Sequence, residues 1–103
     1  MMLAIVESEQ CFSIQGEYNA SELMRLELDL NALLVLQVDP KDLYLGGLKG
    51  SDSGLIALLL SFQRFANSKD WQVKLINASD GVKGLIELSQ LNGFFTLIDK
   101  VET

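Results

Sequence analysis

Asp52, Ser53 and Gly54 stand directly before the most apolar run of the chain, Leu55-Ile56-Ala57-Leu58-Leu59-Leu60. A hydroxyl at the mouth of a helix meets unpaired backbone N–H groups and the positive end of the helix dipole. Such a hydroxyl suits regulation, a phosphate group or contact with the polar group of a partner. Hydrolytic chemistry is disfavoured. Asp52-Ser53-Gly54 has the composition of a serine nucleophile segment, but the chain has no histidine to take the proton. Gly50-Ser51-Asp52-Ser53-Gly54 is spaced like a nucleophile elbow, yet its central residue is an aspartate. Gly46-Gly47-Leu48-Lys49-Gly50-Ser51 has the composition of a phosphate loop, but its lysine precedes the last glycine and is misplaced for the β- and γ-phosphates.

The remaining reactive side chains are read as structural. Glu22, Glu27 and Asp29 fall on one predicted helix without histidine or cysteine neighbours, so they form a solvated face and imply no metal. Cys11 is alone, which excludes an internal disulfide, and is read as a small strand residue. Trp71 is read as a cover for the core or a sheet edge. No cofactor is expected.

Composition sets the frame. The 103 residues are 49% hydrophobic and 21% charged, which is a globular balance, and the expectation is one domain over residues 1–103. A net charge of −6 argues against nucleic acid and against direct docking on anionic lipid. The opening Met1-Met2-Leu3-Ala4-Ile5-Val6 lacks the basic start of a signal peptide, and no apolar run is long enough to span a bilayer. A cytoplasmic protein is expected.

The elements that position Ser53 follow from hydrophobic period. Leu3 to Glu7 is a short strand, and Phe12, Ile14 and Gly16 alternate with polar residues in a second, hairpin-paired strand. Asn19 and Glu22 have capping-box spacing, which predicts a helix to about Gln37. Leu26, Leu28 and Leu30 alternate there as in a strand, but leucine and glutamate favour the helix. Leu43 to Leu45 is a short strand, with Leu48 a lone apolar anchor in the following loop. Leu55, Leu58, Leu59 and Phe62 form the stripe of a main helix over Ser53 to Asn67. Trp71, Val73 and Leu75 alternate as a further strand. Ser79-Asp80 can cap a last helix containing Val82, Leu85, Ile86 and Leu88, stopped by Asn92-Gly93. Phe94 to Ile98 can add an edge strand. This order predicts an α/β domain with helices packed on a mixed sheet of four to five strands.

The stretch Tyr44 to Gly54 resembles the strand-loop-helix signature of STAS domains, in which Asp-Ser/Thr opens a helix after a short loop. The resemblance runs without gaps from Asp52 through Ala57, Leu60, Ala66, Val73, Leu75, Asp80, Val82, Leu85, Leu88 and Leu91, and includes Gly16-Glu17. It is similar in particular to the small STAS subunits of Mla (maintenance of lipid asymmetry) phospholipid ABC transporters. Three positions depart from the pattern: Leu55 replaces a second glycine, Tyr44 the usual strand aspartate, and Gly46 a serine. The resemblance implies a non-enzymatic regulator. Ser53 would contact the transporter ATPase, Asp52 and Gly54 would flank it, and Ile56 and Leu60 would form an apolar rim. Such a subunit would lie at the cytoplasmic side of the inner membrane through its complex, without inserting. The alternative it implies is an anti-sigma-factor antagonist whose Ser53 is phosphorylated by a partner kinase.

Overall fold

The computed structural model describes residues 2–100; Met1 of the opening run lies outside them. Nine regular elements follow one another: β1 (Ala4–Glu7), β2 (Cys11–Glu17), α1 (Leu23–Leu34), β3 (Asp42–Tyr44), β4 (Leu48–Lys49), α2 (Ser53–Ser68), β5 (Leu75–Ile76), α3 (Asp80–Leu88) and β6 (Leu97–Ile98). The sheet runs β1-β2-β3-β5-β6, with β4 joined to the far end of β2. The β1–β2 hairpin is antiparallel and every other pair is parallel, so this is the mixed sheet the sequence predicts. Five strands lie on the continuous path and β4 makes a sixth.

One core joins the sheet to the three helices. Phe12 and Ile14 of β2, Leu43 of β3 and Leu75 of β5 meet Leu26, Leu30 and Leu34 of α1, Leu55, Leu58, Leu59 and Phe62 of α2, and Val82 and Ile86 of α3. The alternation at the start of α1 resolves as a helix because Leu26, Leu30 and Leu34 recur every four residues and are buried, while Leu28 points to solvent. The stripe of α2 is buried throughout. Among the described residues no helix is long and apolar enough to cross a membrane.

Several boundaries differ from expectation. Asn19 does cap, its Oδ1 accepting from the Ser21 N–H at 3.0 Å, but it starts a 3-10 turn over Ala20–Glu22 that leads into α1. The Glu22 carboxylate turns to Arg25 at 3.1 Å. Helix α1 stops at Leu34, and Leu36 and Gln37 continue only as turns. Leu48 is no lone anchor: it belongs to β4 and sits opposite Gly16. Helix α3 ends at Leu88, before Asn92-Gly93, where Gln90 takes a left-handed conformation (φ 58°). The two expected strands 71–75 and 94–98 shrink to Leu75–Ile76 and Leu97–Ile98, since alternation marks which side chains are buried but not whether the backbone finds a pairing partner.

Candidate functional site

The loop from Leu45 to Asp52 is held against the end of β2 at three points. Gly16 donates its N–H to the Gly47 carbonyl at 3.1 Å, and Tyr18 donates its own to Lys49 at 2.7 Å. The third tie joins side chains: the Tyr18 hydroxyl donates to Asp52 Oδ1 at 2.5 Å. On its other side Gly16 admits the backbone of Met2 and Leu3. Its φ is +110°, and a Cβ there would lie 2.3 Å from the Met2 carbonyl oxygen.

Asp52 is the N-cap of α2. Its backbone is extended, and Oδ1 also accepts the Gly54 N–H at 2.7 Å. The Tyr18 hydroxyl, foremost, and the backbone N–H groups of Gly54 and Leu55 favour its charged form and hold its carboxyl below the ordinary value of 3.8. Burial, then the bond to Asp52, pushes the Tyr18 phenol from 10 up to about 12. At neutral pH the pair is therefore a neutral phenol donating to a carboxylate.

This arrangement fixes the position of Ser53. With Asp52 as the cap, Ser53 becomes the first residue of α2, solvent-exposed. Its hydroxyl has no hydrogen-bond partner among the described residues. Gly54 fills a crowded point, where an added Cβ would come within 3.0 Å of Asp52 Oδ1, Leu23 Cδ2 and the Tyr18 hydroxyl. The start of α3 lies alongside: Ser79 caps it by accepting the Val82 N–H at 3.2 Å, and a Cβ on Gly81 would sit 3.4 Å from Ser51 Oγ.

Asp52, Ser53 and Gly54 are thus brought together at the surface. Ile56 is not an exposed rim residue. It is 5% exposed and belongs to the core, because the helical turn rotates it toward the sheet. Leu60 is half-buried and also packs on the core. Leu55, standing where the family pattern has glycine, is fully buried. Tyr18 is the member of this cluster that the sequence reading missed. It lies one residue beyond the noted Gly16-Glu17 and 34 residues from the carboxylate it positions, with no local signal joining the two.

The other reactive residues stay apart from this site. Arg25 ties down Glu22 and Asp29, both at 3.1 Å. Cys11 is half-buried at the start of β2, its sulfur 3.4 Å from Ser8 Oγ. Trp71 is half-buried and meets Phe65 edge-on, the centroids 5.7 Å apart. Among the described residues no three His, Cys, Asp or Glu side chains are placed to hold a metal ion.

No family model matches the chain. Solved structures match its fold along nearly the whole length. The anti-sigma factor antagonist SpoIIAA in its unphosphorylated form superposes with a TM-score of 0.74 at 16% identity, over 98% of this chain and 90% of that one. The Bacillus cell fate determinant SpoIIAA in the phosphorylated form gives 0.71 at 15% identity, over 98% and 93%. An anti-sigma-factor antagonist (STAS) domain protein from Planctomyces limnophilus gives 0.68 at 12% identity, over 97% and 91%. The domain therefore has the STAS fold. Among curated proteins, peptide chain release factor 1 of Methylibium petroleiphilum is 34% identical over 108 residues, covering 97% of this chain. The chain spans about a quarter, 26%, of that protein's length.

Proposed function

We propose that this domain is a binding regulator of the anti-sigma-factor-antagonist type, whose partner reads Ser53 and is released when Ser53 is phosphorylated. The observation that carries this reading is the division of labour at α2. Asp52 caps the helix and is fixed by Tyr18, which leaves Ser53 exposed with its hydroxyl free. A cap serine would be spent on its own backbone; this one is available to another protein.

Phosphorylation would add about −1.5 to −2 charges at the helix start. The dipole tolerates that charge. Asp52 beside it does not, because its carboxylate is already charged at neutral pH. The phosphate is then driven outward, into the space a docked partner occupies. A neutral or acidic partner surface is repelled, so the modification acts as an off switch. The absence of histidine from the chain agrees with a role in binding rather than hydrolysis.

The test is incubation of the chain with ATP and candidate anti-sigma-factor kinases, followed by mass spectrometry and co-purification. Phosphate on Ser53, binding retained by Ser53→Ala and lost by Ser53→Glu are the expected results. Phosphate elsewhere, or binding by Ser53→Glu equal to that of the parent, overturns the proposal.

The second reading docks the same surface on the ATPase of an Mla-type phospholipid transporter at the inner membrane. It is favoured by the gapless resemblance from Asp52 to Leu91. Co-purification with that ATPase, weakened by Ser53→Glu but requiring no kinase, distinguishes it.

A further inference from the structure

Helix α1 is apolar on two opposite sides. Leu26, Leu30 and Leu34 fill the core, yet Met24, Leu28 and Val35 stand on the far side and are 77%, 65% and 67% exposed. Val35 still donates its N–H to the Asn31 carbonyl at 3.2 Å, so it continues the helical face past Leu34. Leu36 and Val38 follow and are more exposed still. Ala32, exposed too, lies one turn from Leu28 and one from Leu36. Single exposed hydrophobic residues are ordinary, but a continuous stripe of them is not. This one presents on the order of 600 Å² of apolar surface, the upper end of the largest patch a monomer usually shows.

The stripe is spaced symmetrically about Asn31. Leu28 and Val35 lie three residues before it and four after, and Met24 and Val38 seven before and seven after. Offsets of three, four and seven keep residues on one helical face. Asn31 is half-buried, and its side-chain amide has no hydrogen-bond partner among the described residues. An amide both donates and accepts, so it is its own complement across a two-fold axis, as a charged side chain is not. A polar amide within an apolar helical seam also fixes the register of the pair. Antiparallel packing about that axis sets the larger Met24 and Leu28 of one copy against the smaller Val38 and Val35 of the other. Two such stripes face to face hide on the order of 1,200 Å², above the roughly 1,000 Å² that a specific interface needs. An anionic membrane is a poor occupant. Helix α1 carries Glu27 and Asp29, and its one basic residue, Arg25, is already paired with Glu22 and Asp29.

From these features we infer that the stripe is the interface of a homodimer: two copies of the chain pack their α1 helices antiparallel about a two-fold axis at Asn31. The Asn31 amide of each copy donates to and accepts from the other. Leu28 and Val35 close over that amide pair on either side and keep water from it. The inference does not rest on the reading of Ser53.

Sedimentation equilibrium of the full chain, from about micromolar to millimolar concentration, reads the association. Expected is a reversible equilibrium of monomer and dimer with no higher species, because an isologous contact closes on itself. Leu28→Glu should weaken the dimer roughly tenfold or more. The position is exposed, so the monomer keeps its fold, which circular dichroism checks. Asn31→Asp and Asn31→Lys should each weaken it by roughly the same factor, by setting like charges together at the axis. Mixed in equal amounts, these two variants should associate more tightly than either alone, the signature of a residue that meets its own copy. Ser53→Glu should leave the equilibrium unchanged. A chain that stays monomeric at millimolar concentration overturns the inference and leaves the stripe to a different protein. A dimer unmoved by Leu28→Glu, or Asn31 variants that fail to rescue each other, overturns it as well.

Discussion

The two ends of α2 are built to opposite standards. At its start Asp52 serves two donors at once, Gly54 leaves only tight room for a methyl group, and Gly16 is pressed against the Met2 carbonyl. Eleven residues after Asp52, Gln63 is buried with an unpartnered oxygen beside a cavity. A crowded, satisfied end holds one exposed hydroxyl in a fixed place. A roomy, unsatisfied end has space for something to enter. The contrast teaches that one helix can be fixed by close packing at its start and left with an unmet polar group a few turns on.

The largest effect tests the crowded end. Gly16→Ala places a Cβ 2.3 Å from a backbone oxygen at a φ of +110°, where no flexible side chain can yield. A loss of about 2–4 kcal/mol is expected, read by urea denaturation. Gly16 also anchors Gly47, so the Ser53 loop should lose amide protection with it. Parent-like stability would mean that this end is not tightly built.

Gly54→Ala and Gly84→Ala sharpen the point, because one substitution should take opposite signs. Both glycines lie within helices, where alanine is intrinsically better by about 1 kcal/mol. At Gly84 a Cβ meets nothing within 4 Å, so a gain of about 0.5–1 kcal/mol is expected. At Gly54 the methyl crowds Asp52, Tyr18 and Leu23 together, and a net loss of about 1–2 kcal/mol is expected. Thermal denaturation of the two variants in parallel checks both signs, and a gain at Gly54 would break the comparison.

At the roomy end Gln63→Leu should cost nothing and raise stability by up to about 1 kcal/mol. It removes the orphan oxygen, and Asn67, left unpaired, is exposed and returns to water. A clear loss of stability would show that the bond from Gln63 to Asn67 outweighs the orphan oxygen.

How far these features were legible depends on the range of the interactions that make them. The stripe of α2 and the Ser79 cap are local, so three- and four-residue spacing disclosed them. The expectation of Ser53 at a helix start held for the same reason, while the support that Tyr18 lends the Asp52 cap comes from 34 residues away and stayed unseen. Strand lengths failed because pairing is non-local: 71–74 alternates like a strand but meets β3 only through Lys74, whose carbonyl accepts from Leu43, and Leu48 finds Gly16 with nothing nearby to announce it. Ile56 was misplaced although a local signal existed. Ile56, Leu59, Gln63 and Ala66 lie on one helical face, and all four are buried. Following that face would have put Ile56 in the core and exposed Gln63 as the polar residue out of place.

The smallest effects are the pH dependences at the crowded end, where exposure screens the charges. Asp52 has a lowered pKa in the folded state, so its contribution is present above 3.8 and is lost as pH falls through the lower folded value. Tyr18 has a raised one, so its contribution is intact below 10 and is lost between 10 and about 12, as the unfolded chain gives up the proton first. Asp52→Asn preserves an N-cap and an acceptor but cannot ionise. It should therefore flatten the acid limb of urea midpoint against pH. A residue of that limb should survive, since Glu7 is also held below its ordinary value, chiefly by its hydrogen bond from Lys41. On the alkaline side, Tyr18→Phe should abolish the phenol's titration near 12, followed by ultraviolet absorbance. Asp52→Asn should move that titration back toward 10 but not all the way, because burial is the larger cause of the shift and remains. A full return to 10 would mean that the carboxylate alone holds the phenol, and that Tyr18 is less enclosed than the crowding at Gly54 requires.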